Sequence, residues 1–314
     1  MKSNFDFLNR YWPALAQIGA TAETYVYSDP NACIYKLGMF AERLVQEILV
    51  FEHIAEPAVD NTHANRIRIL KRAGLLPHEI DNTLYVLRKT RNSAVHIGTD
   101  SVDEAKTLLS LTYNLAVWFM EIYGDWGYIA PEFVMPVETD HEDLESVIAE
   151  QEKKIAELTK QLAVVTTAAS GKTQKERAKR SESVSAMMNW NEAQTRCLID
   201  EQLRLSGWEA DTQNLRYSKG TRPVKGRNIA ISEWPTNSAF YKNGYADYAF
   251  FVGEKLVALM DAKKMSEDVA STIDVQVKDY AAHIKPEDIP HTVGNWNGYQ
   301  VPFLFASNGR AYLE

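Results

Sequence analysis

Apolar positions recur at helical spacing through the first part of the chain and at strand spacing near its end. In the segment following Asp29-Pro30, Leu37, Phe40, Leu44, Ile48 and Phe51 succeed one another at three- and four-residue steps. Aspartate as a cap and proline in the first turn open such a helix. The same period predicts helices over Asn61–Ala73, His78–Val95 and Val102–Tyr123, with Gly74, Pro77, Gly98 and Gly124 as punctuation. No strand pattern interrupts residues 1–135, so these predict an all-α domain of about four or five helices.

Residues 136–183 change character. Leu144, Ile148, Ile155, Leu158, Leu162 and Val165 keep a four–three spacing, with Gln151 at the one polar core position. This predicts a coiled coil or long helix. The small, polar and basic stretch TTAASGKTQKERAKRSES after it reads as linker. Residues 184–314 then predict a helix over Met188–Leu205 ended by Gly207, a strand over Trp208–Tyr217 and a loop over 218–239. A strand–turn–strand follows around Gly253-Glu254-Lys255, then a helix over Val269–Ile284 and a strand over Val301–Ala306. The element order is αβββαβ, and the fold class is multidomain, α followed by α/β.

Composition adds limits. At 45% hydrophobic and 24% charged residues the chain is globular. No apolar run is long enough for a membrane span, and the start MKSNFDFLNR lacks a signal core. Cys33 and Cys197 stand far apart and suggest no disulfide framework, so a reducing cytoplasm is expected. A net charge of -8 excludes a generally basic nucleic-acid binder. Any DNA contact must come from a local patch, and Arg216–Arg227 has five basic residues and no acid. Lys219, Arg222, Lys225 and Arg227 are its candidates for phosphate contacts, the alternative being solvated loop charge.

The strand–turn–strand carries charges where a buried sheet disfavours them. Asp247 lies in its first strand; Asp261 and Lys263 close the second, two residues apart and so on one face. Buried charges need partners or an ion. Asp247 followed by Asp261-Ala262-Lys263 resembles the PD-(D/E)xK nuclease pattern, with Ala246 where that family's name has proline. The resemblance implies that Asp247 and Asp261 hold Mg²⁺, with Mn²⁺ as substitute, and that Lys263 stands near the attacking water. The alternative is a surface ion pair on an exposed hairpin. Glu192 stands where family members often supply a further acid, or forms an i,i+4 pair with Arg196. Gln276-Val-Lys-Asp-Tyr280 resembles the Q-x-x-x-Y motif of RecB-like enzymes and type I restriction subunits, or sets a glutamine at the edge of an apolar stripe.

In the helical part, Arg91-Asn92-x-x-x-His96 resembles the motif of HEPN domains, some of which are metal-independent ribonucleases. The same cations could simply favour a helix C-terminus. The succession of HEPN-like domain (1–135), coiled linker (136–183) and nuclease domain (184–314) resembles part of the restriction subunit of type I restriction–modification enzymes. That resemblance implies Mg²⁺-dependent DNA cleavage, modification and specificity subunits as partners, and a helicase motor C-terminal to these residues. Ser170-Gly171-Lys172-Thr173 mimics the end of a P-loop, but Thr166 stands where glycine is needed and no strand precedes it, so no nucleotide site is expected. Two other readings remain open: a DNA-binding or assembly module without activity, and a ribonuclease led by Arg91 and His96.

Overall fold

The computed structural model describes residues 2–56, 59–96, 101–138, 144–158, 168–188, 190–238, 244–264, 269 and 273–309. It divides into two units, Met1–Met188 and Asn189–Glu314. No described helix is long and apolar enough to cross a membrane.

The first unit contains α1 (Pro13–Ser28), α2 (Pro30–Phe51), α3 (His63–Arg72), α4 (His78–His96), α5 (Val102–Phe119), α6 (Leu144–Leu158) and α7 (Gln174–Met187). Side chains cap several of these starts: Asp29 accepts from the Ala32 amide, Thr62 from Asn65 and Ser101 from Glu104, satisfying donors that a helix leaves free. The central helix is α2, which packs on α1, α4 and α5. Its stripe Leu37, Phe40, Leu44 and Ile48 is fully buried, as the spacing predicts.

The stretch expected as linker is partly folded onto this unit. On α6, Gln151 accepts a hydrogen bond from Thr24 Oγ1 at 3.3 Å, Glu152 pairs with Lys36 at 2.6 Å, and Ile155 is buried. Leu162 and Val165 lie outside the described residues, as do the side chains of Leu144, Ile148 and Leu158. Helix α7 occupies what composition alone suggests is flexible chain. Its start is a reciprocal capping box, in which Thr173 accepts from the Glu176 amide and Glu176 accepts from the Thr173 amide. Arg177 of α7 inserts against Glu52 at the end of α2, making two hydrogen bonds of 2.7 and 2.5 Å.

The second unit starts with α8 (Glu192–Leu205), capped by Asn191 and Gln194 in a second capping box. Then come β1 (Glu209–Ala210), β2 (Asn228–Pro235), β3 (Tyr245–Val252), β4 (Lys255–Ala262), a π-helical turn (Ile273–Val277) continuing into α9 (Lys278–Ala282), and β5 (Phe303–Ser307). The sheet order is β1-β2-β3-β4-β5, with β1–β2 and β4–β5 parallel and the two central pairings antiparallel. The strand expected over Trp208–Tyr217 shrinks to two residues, and β2 falls inside the expected loop 218–239. The described sheet therefore has one strand more than αβββαβ provides.

The two faces of the sheet bury different sets. Ile199 of α8 clusters with Ala230, Tyr248, Phe250, Ala258 and Met260. Val277, Tyr280 and Ala281 cluster with Ile229, Ile231, Phe251 and Leu259. Strand alternation would keep Trp234 away from Ile231's face and Ala246 away from Ala249's. Both nevertheless join the second set. Alternation thus slips by one residue on two facing strands, at Glu233 and at Asp247. Glu233 adopts a left-handed φ of 54°, which explains the slip on β2.

Candidate active site

The register of the sheet lines up three acids. Ser232 pairs with Tyr248, and one step further along stand Glu233 and Asp247. Tyr248 pairs with Met260, and one step further along stand Asp247 and Asp261. Glu233, Asp247 and Asp261 therefore form a row across β2, β3 and β4, at the end of the sheet where the slip frees side chains from either core. A cleft of about 390 Å³ opens there, lined also by Glu192, Arg196, Tyr245, Lys263, Gln276 and Tyr280.

Two cations flank the row. Lys263 Nζ lies 2.7 Å from Asp261 Oδ2, close enough for an ion pair but outside hydrogen-bond angles, so that Oδ2 is buried with no hydrogen bond. Lys263 donates instead to Gln276 Oε1 at 2.9 Å. Gln276 Nε2 in turn donates to Asp261 Oδ1 at 3.2 Å and to the Tyr280 hydroxyl at 2.7 Å. One glutamine thus fixes an acid, a lysine and a tyrosine, and the Q-x-x-x-Y spacing has this geometric meaning. Its π-helical turn is a deviation common at functional sites.

On the other flank, Arg196 Nη2 donates to Glu192 Oε1 at 2.7 Å and to Asp247 Oδ1, while Nη1 lies 3.6 Å from Glu233 Oε1. The remaining Asp247 oxygen accepts from the Ala262 amide at 2.6 Å. Burial raises the Asp247 carboxyl to about 7; the Arg196 charge opposes this and the neighbouring Asp261 charge adds to it. Helix α8 is anchored by Asp200, one turn beyond Arg196. Asp200 accepts from the Thr212 amide and hydroxyl at 2.7 and 2.9 Å and from the Tyr248 hydroxyl at 2.9 Å. Burial outweighs these donors and lifts its carboxyl to about 6.

Asp247, Asp261, Lys263, Gln276 and Tyr280 thus converge, and Glu192 lines the same cleft through its predicted pair with Arg196. Sequence reasoning passes over Arg196 as a member of the site, and over Glu233 altogether. The spacing Glu192–Arg196 is a visible signal for a pair; nothing local announces the approach of Arg196 to Asp247. Among the described residues, no three histidine, cysteine or acidic side chains are grouped so that together they could hold a metal ion, and Glu192 does not complete a three-acid set with Asp247 and Asp261. The donors that are present suit a hard cation that keeps part of its water: two adjacent carboxyls, one with a buried oxygen lacking a hydrogen bond.

Residues 209–314 match the domain family described as the second domain of the type I restriction enzyme EcoKI endonuclease subunit. The type I restriction enzyme EcoKI endonuclease subunit of Escherichia coli (strain K12) is 28% identical over an alignment 389 positions long, gaps included, which covers 99% of this chain. Nearly the whole chain is thus similar to a type I restriction endonuclease subunit. It spans 33% of that relative's length. No solved structure matches it. The region matching the restriction-subunit domain includes Asp247, Asp261, Lys263, Gln276 and Tyr280, whereas Glu192 and Arg196 precede it.

The basic loop Arg216–Arg227 is less free than its sequence suggests. Arg227 pairs with Glu209, Arg216 lies 3.2 Å from Glu233, and Arg222 stacks 3.7 Å over the Tyr217 ring. Lys219 and Lys225 are exposed. In the helical unit, Arg91 is engaged as well: it pairs with Glu42 at 2.6 Å and lies 5.0 Å over the Tyr35 ring. It also packs on Gly38 so closely that a Cβ there would stand 2.4 Å from Arg91 Cδ. Asn92 is exposed, and the His96 side chain lies outside the described residues. Beside this cluster His63 is buried with neither ring nitrogen hydrogen-bonded, and burial lowers its imidazole to about 4. Lys172, from the P-loop-like stretch, rests 5.0 Å over the Trp126 ring.

Proposed function

We propose that the second unit is the metal-dependent nuclease portion of a type I restriction system, of PD-(D/E)xK type, hydrolysing DNA phosphodiesters in defence against foreign DNA. The observation that carries this reading is the adjacency of Asp247 and Asp261 on neighbouring strands with Lys263 Nζ 2.7 Å from the latter. The similarity of 99% of this chain to part of a restriction endonuclease subunit supports it.

Asp247 and Asp261 would hold Mg²⁺, with Glu192 at the cleft's edge. When bound, the ion supplies Lewis-acid stabilisation of charge on the scissile phosphate. Lys263 brings a fixed positive charge that favours the ionised form of a nearby water and attracts a phosphate oxygen. Gln276 holds that ammonium against Asp261, and Tyr280 holds Gln276. The exposed Lys219 and Lys225 are suited to the DNA backbone, which positions a protein without specifying sequence. Site choice then falls to modification and specificity subunits, and translocation to a helicase motor outside these residues. Incubating the chain with supercoiled plasmid and Mg²⁺, with EDTA as control, tests the reading; equal cleavage in both would sink it.

Replacing Lys219 and Lys225 with alanine is expected to lower the log–log salt slope of duplex binding by up to about 0.9 for each phosphate that the variant no longer neutralises. An unchanged slope would make the two lysines ordinary solvated charge. The helical unit, HEPN-like by resemblance, reads as a docking module, because Arg91 is committed to Glu42, Tyr35 and Gly38. RNA incubated with the chain in EDTA should therefore stay intact. Cleavage that disappears in His96→Ala would overturn the docking reading.

A further inference from the structure

The cleft already contains a cation. Arg196 reaches from α8 among Glu192, Glu233 and Asp247, with its side chain only 14% exposed. Its Nε is buried without a hydrogen-bond partner. A guanidinium serving purely as a structural lock would place all its donors, since a buried unmet donor is costly. This one is held mainly by charge. Glu233 faces it from a backbone conformation uncommon for a side-chain-bearing residue, at the point where β2 slips. Glu192, and Glu233 shared with Arg216 at 3.2 Å, are thus a second pair of carboxylates within reach of the same guanidinium, beside the pair formed by Asp247 and Asp261.

We infer that Arg196 is a tethered competitor for the divalent ion. In the metal-free cleft it neutralises Asp247 through Oδ1. When a divalent cation is taken up it yields that oxygen and stays with Glu192 and Glu233. The inference rests on the metal-site reading of Asp247 and Asp261. The physical reason is that both Asp247 oxygens are already engaged, one by Arg196 and one by the Ala262 amide. A guanidinium and a divalent ion on one carboxylate repel each other strongly in a half-buried cleft. Competition keeps the acidic row folded without metal, and it lowers metal affinity. The role differs from positioning: a residue that merely oriented Asp247 would raise affinity by its presence.

The test is Mn²⁺ titration of the full chain, read from the electron paramagnetic resonance of free Mn²⁺. Arg196→Gln should bind Mn²⁺ about tenfold more tightly than the parent chain, the order expected for removing one adjacent charge. Arg196→Lys keeps the charge and should bind like the parent, which guards against a change caused by altered folding alone. Glu233→Gln should weaken binding, because it removes part of the guanidinium's alternative seat. Unchanged or weaker binding in Arg196→Gln overturns the competitor role and makes Arg196 a positioning residue. If no Mn²⁺ binding sensitive to Asp261→Asn is found in the parent or in Arg196→Gln, the metal site itself fails and the competitor role goes with it.

Discussion

Asp261→Asn is expected to lower Mg²⁺-dependent plasmid cleavage by roughly two to three orders of magnitude, the cost typical of removing one fixed charge-stabilising group from a reacting centre. Asparagine matches the carboxylate in shape, so Gln276 and Lys263 keep a neighbour of the same size. The drop therefore reports charge and metal affinity rather than packing. Asp261 is 2% exposed, and its Oδ2 is the oxygen left without a hydrogen bond. Initial rates on supercoiled plasmid, with circular dichroism to confirm folding, check the prediction. Activity within threefold of the parent would move the chemistry elsewhere on the chain.

The largest stability effect is expected in the helical unit. Arg177 and Glu52 form a two-pronged ion pair with side chains 8% and 1% exposed. Arg177 also donates to the Lys172 carbonyl at 2.6 Å and stacks 5.0 Å over the Phe51 ring. Removing one partner of such a pair strands a buried charge and costs about 3–5 kcal/mol. Arg177→Ala should therefore lower the unfolding temperature of this unit by roughly 6–20 °C and increase hydrogen exchange in α7. A Glu52→Leu/Arg177→Met double variant should recover most of that stability, because neither charge is then buried alone. Destabilisation of less than about 1 kcal/mol in Arg177→Ala, the range of an exposed pair, would show that α7 is only loosely attached.

How much of this molecule is legible in its sequence depends on the range of the interactions involved. The α2 stripe and the β3–β4 hairpin follow from periods of 3.6 and 2, which neighbouring residues set by themselves. Asp261 and Lys263 share a face for the same reason, and their ion pair bears this out. Helix α7 is legible in principle: Thr173 and Glu176 have capping-box spacing, but a polar composition masks it. Strand β2 is hidden by the feature that builds the cleft. With Glu233 in a left-handed conformation, Ile229, Ile231 and Trp234 bury one face at steps of two and three, so strict alternation never appears. Arg196 is a case beyond local pattern. Its pair with Glu192 is a helix-surface spacing, whereas its hydrogen bond to Asp247 spans 51 residues and exists only once α8 docks on the sheet.

We propose above all that Asp247 and Asp261 hold the ion that makes this unit a nuclease. A crystal soaked in Mn²⁺ and measured at the manganese absorption edge tests it most directly. One anomalous peak is expected between the two carboxylates, at bond lengths of about 2.0–2.3 Å, and no peak in Asp261→Asn. A peak bound away from these residues, or none at saturating Mn²⁺, would contradict it.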